Sequence, residues 1–508
     1  MKVKEIVKIT NGKILCGDEE TPCNHFVRDS REAKNGDVYI ALKGEKFDGN
    51  DFCLDAIDNG AKVCVVSRDV REKKNDTKLD NTEADKINNS IKENNVTIIQ
   101  VLDTLKAMQE IATYKRMQYN IPVVAVTGSV GKTSTKDLIA SVVSQKYNTL
   151  KTQGNYNNEI GLPLTILGLT NEEAMVVEMG MNHFGEIRKL TNIAKPTVAV
   201  ITNIGTAHIG NLGSRENILK AKLEILEGLQ GNTVVINNDN DLLYKWASEN
   251  KDKYNIITYG IKNKSKYMAT EIMPYADKSE FKVICEKDER ISDSKQYVNM
   301  NPKQDRDRAL KQDINRAEEE DINNKKIIVP VGGEHFILNS LCAIAVGEYL
   351  NVPTEKIING IANLELTKKR MEVLTSKAGA TVINDTYNAN YDSMKAAITY
   401  LKEIKNKRKI AVLGDMLELG DYSKELHEKV GEEVDESIDI LITIGKEAKH
   451  IAEKSKAKQI IECKDNEEAI EKLKEIQTKD DAILLKASNG MKFFEIATAL
   501  CEEVLWLK

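Results

Sequence analysis

The sequence predicts an α/β protein of three domains, and three observations carry that expectation. The chain has 508 residues, which at roughly 150 residues per domain is enough for about three cores. Continuous β-branched runs alternate with segments of helical periodicity, as in parallel strands buried on both faces. That alternation starts twice, once near Ile121 and again near residue 367.

Up to residue 118 the apolar runs are short, as in DVYIALKG (37–44), AKVCVVS (61–67) and VTIIQV. A polar stretch from Arg71 to Asn95 reads as a surface excursion, so residues 1–118 are expected to form a small mixed α/β domain. From Ile121 the runs IPVVAVTG, AMVVEMG, TVAVITNIG and TVVINND follow, each of the first three leading into a helical segment. Residues 119–366 are therefore expected to hold a central parallel sheet. The stretch 286–326 within it is rich in both charges and nearly free of large apolar residues, and reads as a solvated insertion without chemistry. Beyond it, ATVINDTYN, KIAVLGDM, IDILITIG, QIIECKD and DAILLKAS are separated by helical segments such as SMKAAITYLKEI. Residues 367–508 read as a doubly wound, Rossmann-like domain.

Composition narrows the function. Lys and Arg number 73 against 79 Asp and Glu, a net charge of -6, so no basic excess favours a nucleic-acid partner. With 41% hydrophobic and 30% charged residues the chain can build cores. MKVKEIVKITNGKIL lacks the apolar run of a secretory signal, and no stretch approaches the roughly 20 apolar residues of a membrane span. Eight scattered cysteines show no C-x-x-C pair and read as reduced core residues, which places the protein in the cytoplasm.

The sharpest short signal is Thr127-Gly128-Ser129-Val130-Gly131-Lys132-Thr133-Ser134, between the apolar IPVVAV and the helical KTSTKDLIASVV. Strand, glycine loop and helix start come in the order that cradles phosphate. Lys132 offers a charge to the outer phosphates and the Thr133 hydroxyl an oxygen to Mg²⁺. The central sheet is on this ground P-loop ATPase-like. The loop departs from the common pattern, with two residues rather than four between Gly128 and the Gly131-Lys132 pair. No Asn-Lys-x-Asp element reads guanine, which argues against a signalling GTPase.

Glu178 ends AMVVEMG, and His208 follows TVAVITNIG. At the carboxyl edge of a parallel sheet they would lie on the side of the phosphate loop. There they suit Mg²⁺ on ATP, and equally a strand-end salt bridge and a hydrogen-bonded loop histidine. The helical SRENILKAKLEILEGL leaves Lys220 and Lys222 between its apolar positions, and spacing alone promotes neither.

In combination and order, several segments resemble the Mur ligases, ATP-dependent amide-forming enzymes of peptidoglycan synthesis. They are DSREAKNGDVYIALKGEKFDG, TGSVGKTSTK, GNYNNEIGLP, VVEMGMNHFGEI, NIGTAHIGNLGS with AKLEIL, NDTYNAN and AVLGDMLELG. The shortened phosphate loop is itself the form this family uses. The resemblance implies the member that joins D-alanyl-D-alanine to UDP-N-acetylmuramoyl-tripeptide through an acyl phosphate, converting ATP to ADP and phosphate. It implies a UDP-sugar pocket in the amino-terminal domain at Ser30, Arg31, Lys43 and Gly44, and a substrate cleft lined by Asn155, Asn157 and Asn158. It implies ATP on Gly128, Ser129, Gly131, Lys132, Thr133 and Ser134, with Asn339 on the adenine, Arg370 on the phosphates and Asp385 near the ribose. Mg²⁺ falls to Thr133, Glu178, His208 and Lys222, the last as a carbamate, and catalysis to Lys132, His208 and Lys222. Lys369 stands where the family commonly has a glycine before the arginine. The chain is expected to act as a monomer. The rival readings are a sibling ligase or folylpolyglutamate synthase that adds one amino acid, and a non-catalytic ATP-binding regulator.

Overall fold

A computed structural model of the chain describes residues 1–71, 81–275, 277–286 and 321–501. Most of the charged stretch 286–326 lies outside the described residues.

Three sheets organise the molecule. The first has five strands in the order Lys13–Cys16, Thr97–Gln100, Val63–Val66, Val38–Ile40 and Phe26–Val27, parallel except for the first. Part of the polar stretch expected to be a surface excursion is instead the helix Asn81–Glu93. Ile91 is buried on it and Ile87 packs against the same core. Two apolar residues four apart are enough to seat one face of a helix, too faint a stripe to stand out among the polar residues around it.

The second sheet has nine strands. Seven run parallel, in the order Thr149–Lys151, Ala174–Glu178, Val123–Thr127, Val198–Ile201, Thr233–Asn237, Asn255–Gly260 and Tyr267–Pro274. The antiparallel strands Ser279–Cys285 and Lys326–Val329 extend it at the Tyr267–Pro274 edge. The expected parallel central sheet thus gains two strands with antiparallel pairing at one edge. This edge carries polar residues such as Lys282 and Lys326 among its apolar ones, so it lacks the continuous runs that announced the inner strands. Every residue of Val123–Thr127, Ala174–Glu178 and Val198–Ile201 is buried, as strands covered on both faces require.

The third sheet orders Glu372–Thr375, Thr381–Asn384, Asp481–Lys486, Arg408–Gly414, Ile440–Ile444 and Gln459–Cys463, parallel except for its first strand. Its carboxyl edge faces that of the central sheet. Thr206, in the loop after Val198–Ile201, donates its N–H and Oγ1 to Asp392 Oδ2 at 2.7 and 2.9 Å. The adjoining Gly205 has no room for a side chain, since a Cβ there would lie 2.3 Å from the same carboxylate oxygen. Tyr422 donates to the Gly213 carbonyl at 2.8 Å, so the two sheets meet across the loop that carries His208.

Candidate active site

The phosphate loop follows directly from the buried strand Val123–Thr127. A Cβ on Gly128 would stand 1.9 Å from Thr202 Oγ1, and Gly131 takes φ 79°, so both positions need glycine. Asn203, at the end of the neighbouring strand, clasps the loop. Its Oδ1 accepts from the Ser129 and Val130 N–H groups at 3.0 and 2.9 Å, and its Nδ2 donates to the Val130 carbonyl at 3.1 Å. The amides of Ser129 and Val130 are thus committed to Asn203. The donors left for an anion are those that open the helix Lys132–Val143, where the first turn has no intrahelical partners. Lys132 Nζ rests 2.9 Å from the Gly128 carbonyl, and desolvation in the cleft lowers its pKa against the opposing pull of Glu178.

Glu178 is 1% exposed and held on both oxygens. Thr133 Oγ1 donates to Oε2 at 2.7 Å and Asn157 Nδ2 to Oε1 at 2.8 Å. A hydroxyl and an anionic carboxylate in contact form the hard oxygen pair that suits a hard divalent cation. His208 sits in the left-handed region at φ 63°. Its Nδ1 is buried and closes no hydrogen bond, although Glu418 Oε2 stands 3.2 Å away. Burial first, then the positive charge of Lys132, pushes its pKa down to about 3. The imidazole is therefore neutral near pH 7, the form that ligates a metal.

Lys222 lies on the helix Arg215–Leu223, whose start Ser214 caps by accepting from the Asn217 N–H at 3.2 Å. The helix ends at Leu223 and tightens into a 3-10 turn over Glu224–Gly228. Lys222 is buried, whereas Lys220 is exposed. Burial and, after it, the Lys132 charge hold the Lys222 amine well below the ordinary lysine range.

The third sheet closes the cleft. The Arg370 guanidinium lies 3.9 Å over the Tyr387 ring, and its buried Nε has no hydrogen-bond partner. Asp385 pairs with Lys486, a lysine that ends the buried strand Asp481–Lys486. Asn339, on the helix Glu334–Tyr349, accepts from Thr135 Oγ1 at 3.0 Å, while its buried Nδ2 is unpartnered. Arg370 Nε and Asn339 Nδ2 are buried donors with nothing to satisfy them, which is the condition of a site built for a polar ligand.

These groups enclose a cavity of about 400 Å³. It brings together Ser129, Gly131, Lys132, Thr133, Ser134, Asn155, Asn157, Asn158, Glu178, His208, Arg370 and Asp385. Gly128, Asn339 and Lys222 are not among its lining residues; Asn339 stands beside Gly131, where an added Cβ would lie 3.3 Å from the Asn339 Oδ1. Ser30, Arg31, Lys43 and Gly44 are not among its lining residues. Arg31 pairs with Asp29 at 2.6 Å, and the backbone of Lys43 forms an isolated antiparallel β-bridge with that of Asp48, both in the first sheet's region. A second cavity of about 250 Å³ shares Ser129, Lys132, His208, Tyr387, Asn388, Asn390 and Glu418 and extends to Ser488, Asn489 and Gly490. Sequence reasoning missed Asn203, Tyr387 and Lys486. For Lys486 a signal was available, a lysine ending an otherwise apolar run. The clasp by Asn203 depends on how a side chain reaches across two loops, which no local pattern encodes.

Comparison with known proteins agrees along the chain. Three family descriptions match in succession: "Mur ligase family, catalytic domain" over residues 25–116, "Mur ligase middle domain" over 126–347 and "Mur ligase, glutamate ligase domain" over 369–489. The UDP-N-acetylmuramoyl-tripeptide–D-alanyl-D-alanine ligase of Bacillus subtilis (strain 168) is 34% identical over 514 residues, covering 99% of each chain. Among solved structures, a crystal structure of MurF from Acinetobacter baumannii superposes with a TM-score of 0.79 at 28% identity over 99% of each chain. That of the MurF ligase from Thermotoga maritima in complex with ADP gives 0.73 at 28% identity, over 94% of this chain and 96% of that one.

Proposed function

The chain belongs to the Mur ligase family, and from that premise we infer that it joins D-alanyl-D-alanine to UDP-N-acetylmuramoyl-tripeptide in peptidoglycan synthesis, converting ATP to ADP and phosphate. The observation that carries the reading is one cavity in which the start of the phosphate-loop helix, the Glu178 carboxylate, the His208 imidazole and the Arg370 guanidinium converge from two sheets.

Amide formation from a carboxylate needs the leaving oxygen activated, and ATP supplies that as an acyl phosphate. The free amides at the helix start and Lys132 face the phosphates and stabilise charge as it moves in the transition state. Arg370 brings the unsatisfied Nε to the same phosphates, stacked on Tyr387 so that its plane is fixed. Asn339 offers its unpartnered amide to the adenine, and Asp385 with Lys486 lies toward the ribose. The residues fit Mg²⁺: Thr133 and Glu178 as an oxygen pair, and His208 through a buried nitrogen lacking a partner, with Lys222 as its carbamate. Bound there, Mg²⁺ supplies charge neutralisation to the phosphates.

The second cavity suits the dipeptide. It abuts Lys132 and His208, where the acyl group would be activated. It offers the Glu418 carboxylate to an ammonium and the polar Asn388, Asn390, Ser488 and Asn489 to a carboxylate. Enclosure between two sheets keeps water from the acyl phosphate. Ser30, Arg31, Lys43 and Gly44, with the first sheet, are assigned to the UDP-sugar, and Asn155, Asn157 and Asn158 to the peptide arm leading from it. The domains are assigned as 1–118, 119–366 and 367–508, one around each sheet, and the reaction to the cytoplasm.

Phosphate release tests the reading. Supplied with UDP-N-acetylmuramoyl-tripeptide and ATP, the protein is expected to release phosphate when D-alanyl-D-alanine is added and not when single amino acids are. Release with a single amino acid would make it a sibling ligase. Nucleotide binding without any release would make it a binding module.

A further inference from the structure

The chain crosses from the central sheet to the third one at residues 367–371, and its two ends are anchored to different bodies. Thr367 donates its N–H and its Oγ1 to Asp137 Oδ2, at 3.1 and 2.7 Å. Asp137 is on the helix Lys132–Val143, which the phosphate loop opens. It is 1% exposed, and its other oxygen takes the Lys136 and Lys151 ammoniums at 2.9 and 3.1 Å. Burial pushes its carboxyl up, but the two ammoniums outweigh that and hold it below the ordinary range, so it is ionised. A charged acceptor with two donors from one residue is a strong anchorage.

From Lys369 onward the chain is tied to the third sheet instead. The Lys369 N–H donates to Glu372 Oε2 at 3.3 Å, its carbonyl accepts from the Tyr387 N–H at 3.2 Å, and its ammonium lies 4.0 Å over the Phe494 ring. The Met371 N–H donates to Asp385 Oδ1 at 3.3 Å. In sequence, one residue, Lys368, lies between Thr367 and Lys369. Lys369 at φ 66° and Met371 at φ 49° are both in the left-handed region, which costs a residue with a side chain. They bracket Arg370, the residue over Tyr387.

We propose that Asp137 is a positioning residue for the nucleotide: by holding Thr367 on the phosphate-loop helix it fixes the point from which the chain enters the third sheet's domain, and so the placement of Arg370 at the phosphates. Asp137 touches no substrate and acts through Thr367 and Arg370. The identity of the nucleotide as ATP rests on the ligase reading; the clamp itself does not. The plain alternative is that Asp137 serves only to neutralise Lys136 and Lys151.

Thr367→Val separates the two, because it removes the hydroxyl donor and leaves the Asp137–lysine contacts in place. ADP affinity measured by calorimetry, without other substrates, is expected to weaken by about tenfold or more, the lower end of the worth of one hydrogen bond to a charged group. KM for ATP should rise in parallel, with KM for UDP-N-acetylmuramoyl-tripeptide within about twofold, and Thr367→Ser should restore both affinities. In an Arg370→Ala background the same Thr367→Val change should add less than about twofold, since the clamp acts through the missing arginine. Unchanged ADP affinity, a lowered Tm without loss of ADP affinity, or an undiminished effect in the Arg370→Ala background would each overturn the proposal. A wild-type protein that binds ADP but releases no phosphate with tripeptide and dipeptide would sink the ligase reading, while the ADP measurements still judge the clamp.

Discussion

Lys132→Ala is expected to lower the rate of ligation by at least about a thousandfold, the scale of removing a charge aimed at the transferring phosphoryl group, while UDP-N-acetylmuramoyl-tripeptide still binds. Lys132 lines both cavities and is the side-chain cation in the loop. Its substitution leaves Asn203 holding Ser129 and Val130, so the loop backbone should keep its shape. The residues assigned to the UDP-sugar belong to the first sheet's region and do not line the cavity. Calorimetry checks the separation: the variant should lose ATP affinity and keep affinity for the UDP-sugar within about twofold. Loss of both affinities together would contradict the division of ligands between domains.

Lys222→Ala carries the second large effect. Burial holds the pKa of the Lys222 amine well below the lysine range, which raises its neutral fraction, and CO₂ adds only to the neutral amine. The product is a carbamate with one proton released, which turns a potential cation behind His208 into an anionic oxygen donor. Lys222→Ala should therefore lower ligation by about a hundredfold or more, by removing a charge that acts inside a desolvated site. Lys220→Ala, on the exposed side of the same helix, should leave it unchanged. Small carboxylic acids added to the Lys222→Ala variant should restore part of the activity by supplying oxygen donors. Intact mass at neutral pH should show one CO₂ on the wild type, lost on acidification and missing from Lys222→Ala. Full activity in Lys222→Ala would remove the residue from the site.

The inner strands were legible because a strand buried on both faces has nowhere to put a polar residue; IPVVAV and TVAVI admit one reading. The outer strands Tyr267–Pro274 and Ser279–Cys285 mix lysine and glutamate with apolar residues, and a half-exposed edge leaves too weak a pattern to separate from loop. The helix Asn81–Glu93 was hidden for the same reason. In the site, Lys132, Thr133, Glu178 and His208 stood out because strand ends and a glycine loop mark the carboxyl edge of a parallel sheet. Arg370 and Asp385 came only from resemblance, since their partners lie across a domain boundary. Tyr387 stood within a quoted motif without a role, because its use is to stack on an arginine far from it in the fold. Lys222 and Lys220 are equivalent in periodicity; burial alone tells them apart.

The most direct measurement follows oxygen from the tripeptide. With both oxygens of its terminal carboxylate labelled with the heavy isotope, attack on the γ-phosphate transfers one labelled oxygen to the released phosphate and leaves the other in the new amide. Mass spectrometry of one reaction with ATP and D-alanyl-D-alanine should find one heavy oxygen in the phosphate and one in the pentapeptide product. Unlabelled phosphate, or labelled tripeptide recovered unextended after ATP has been consumed, would contradict an ATP-driven ligation through an acyl phosphate at this site.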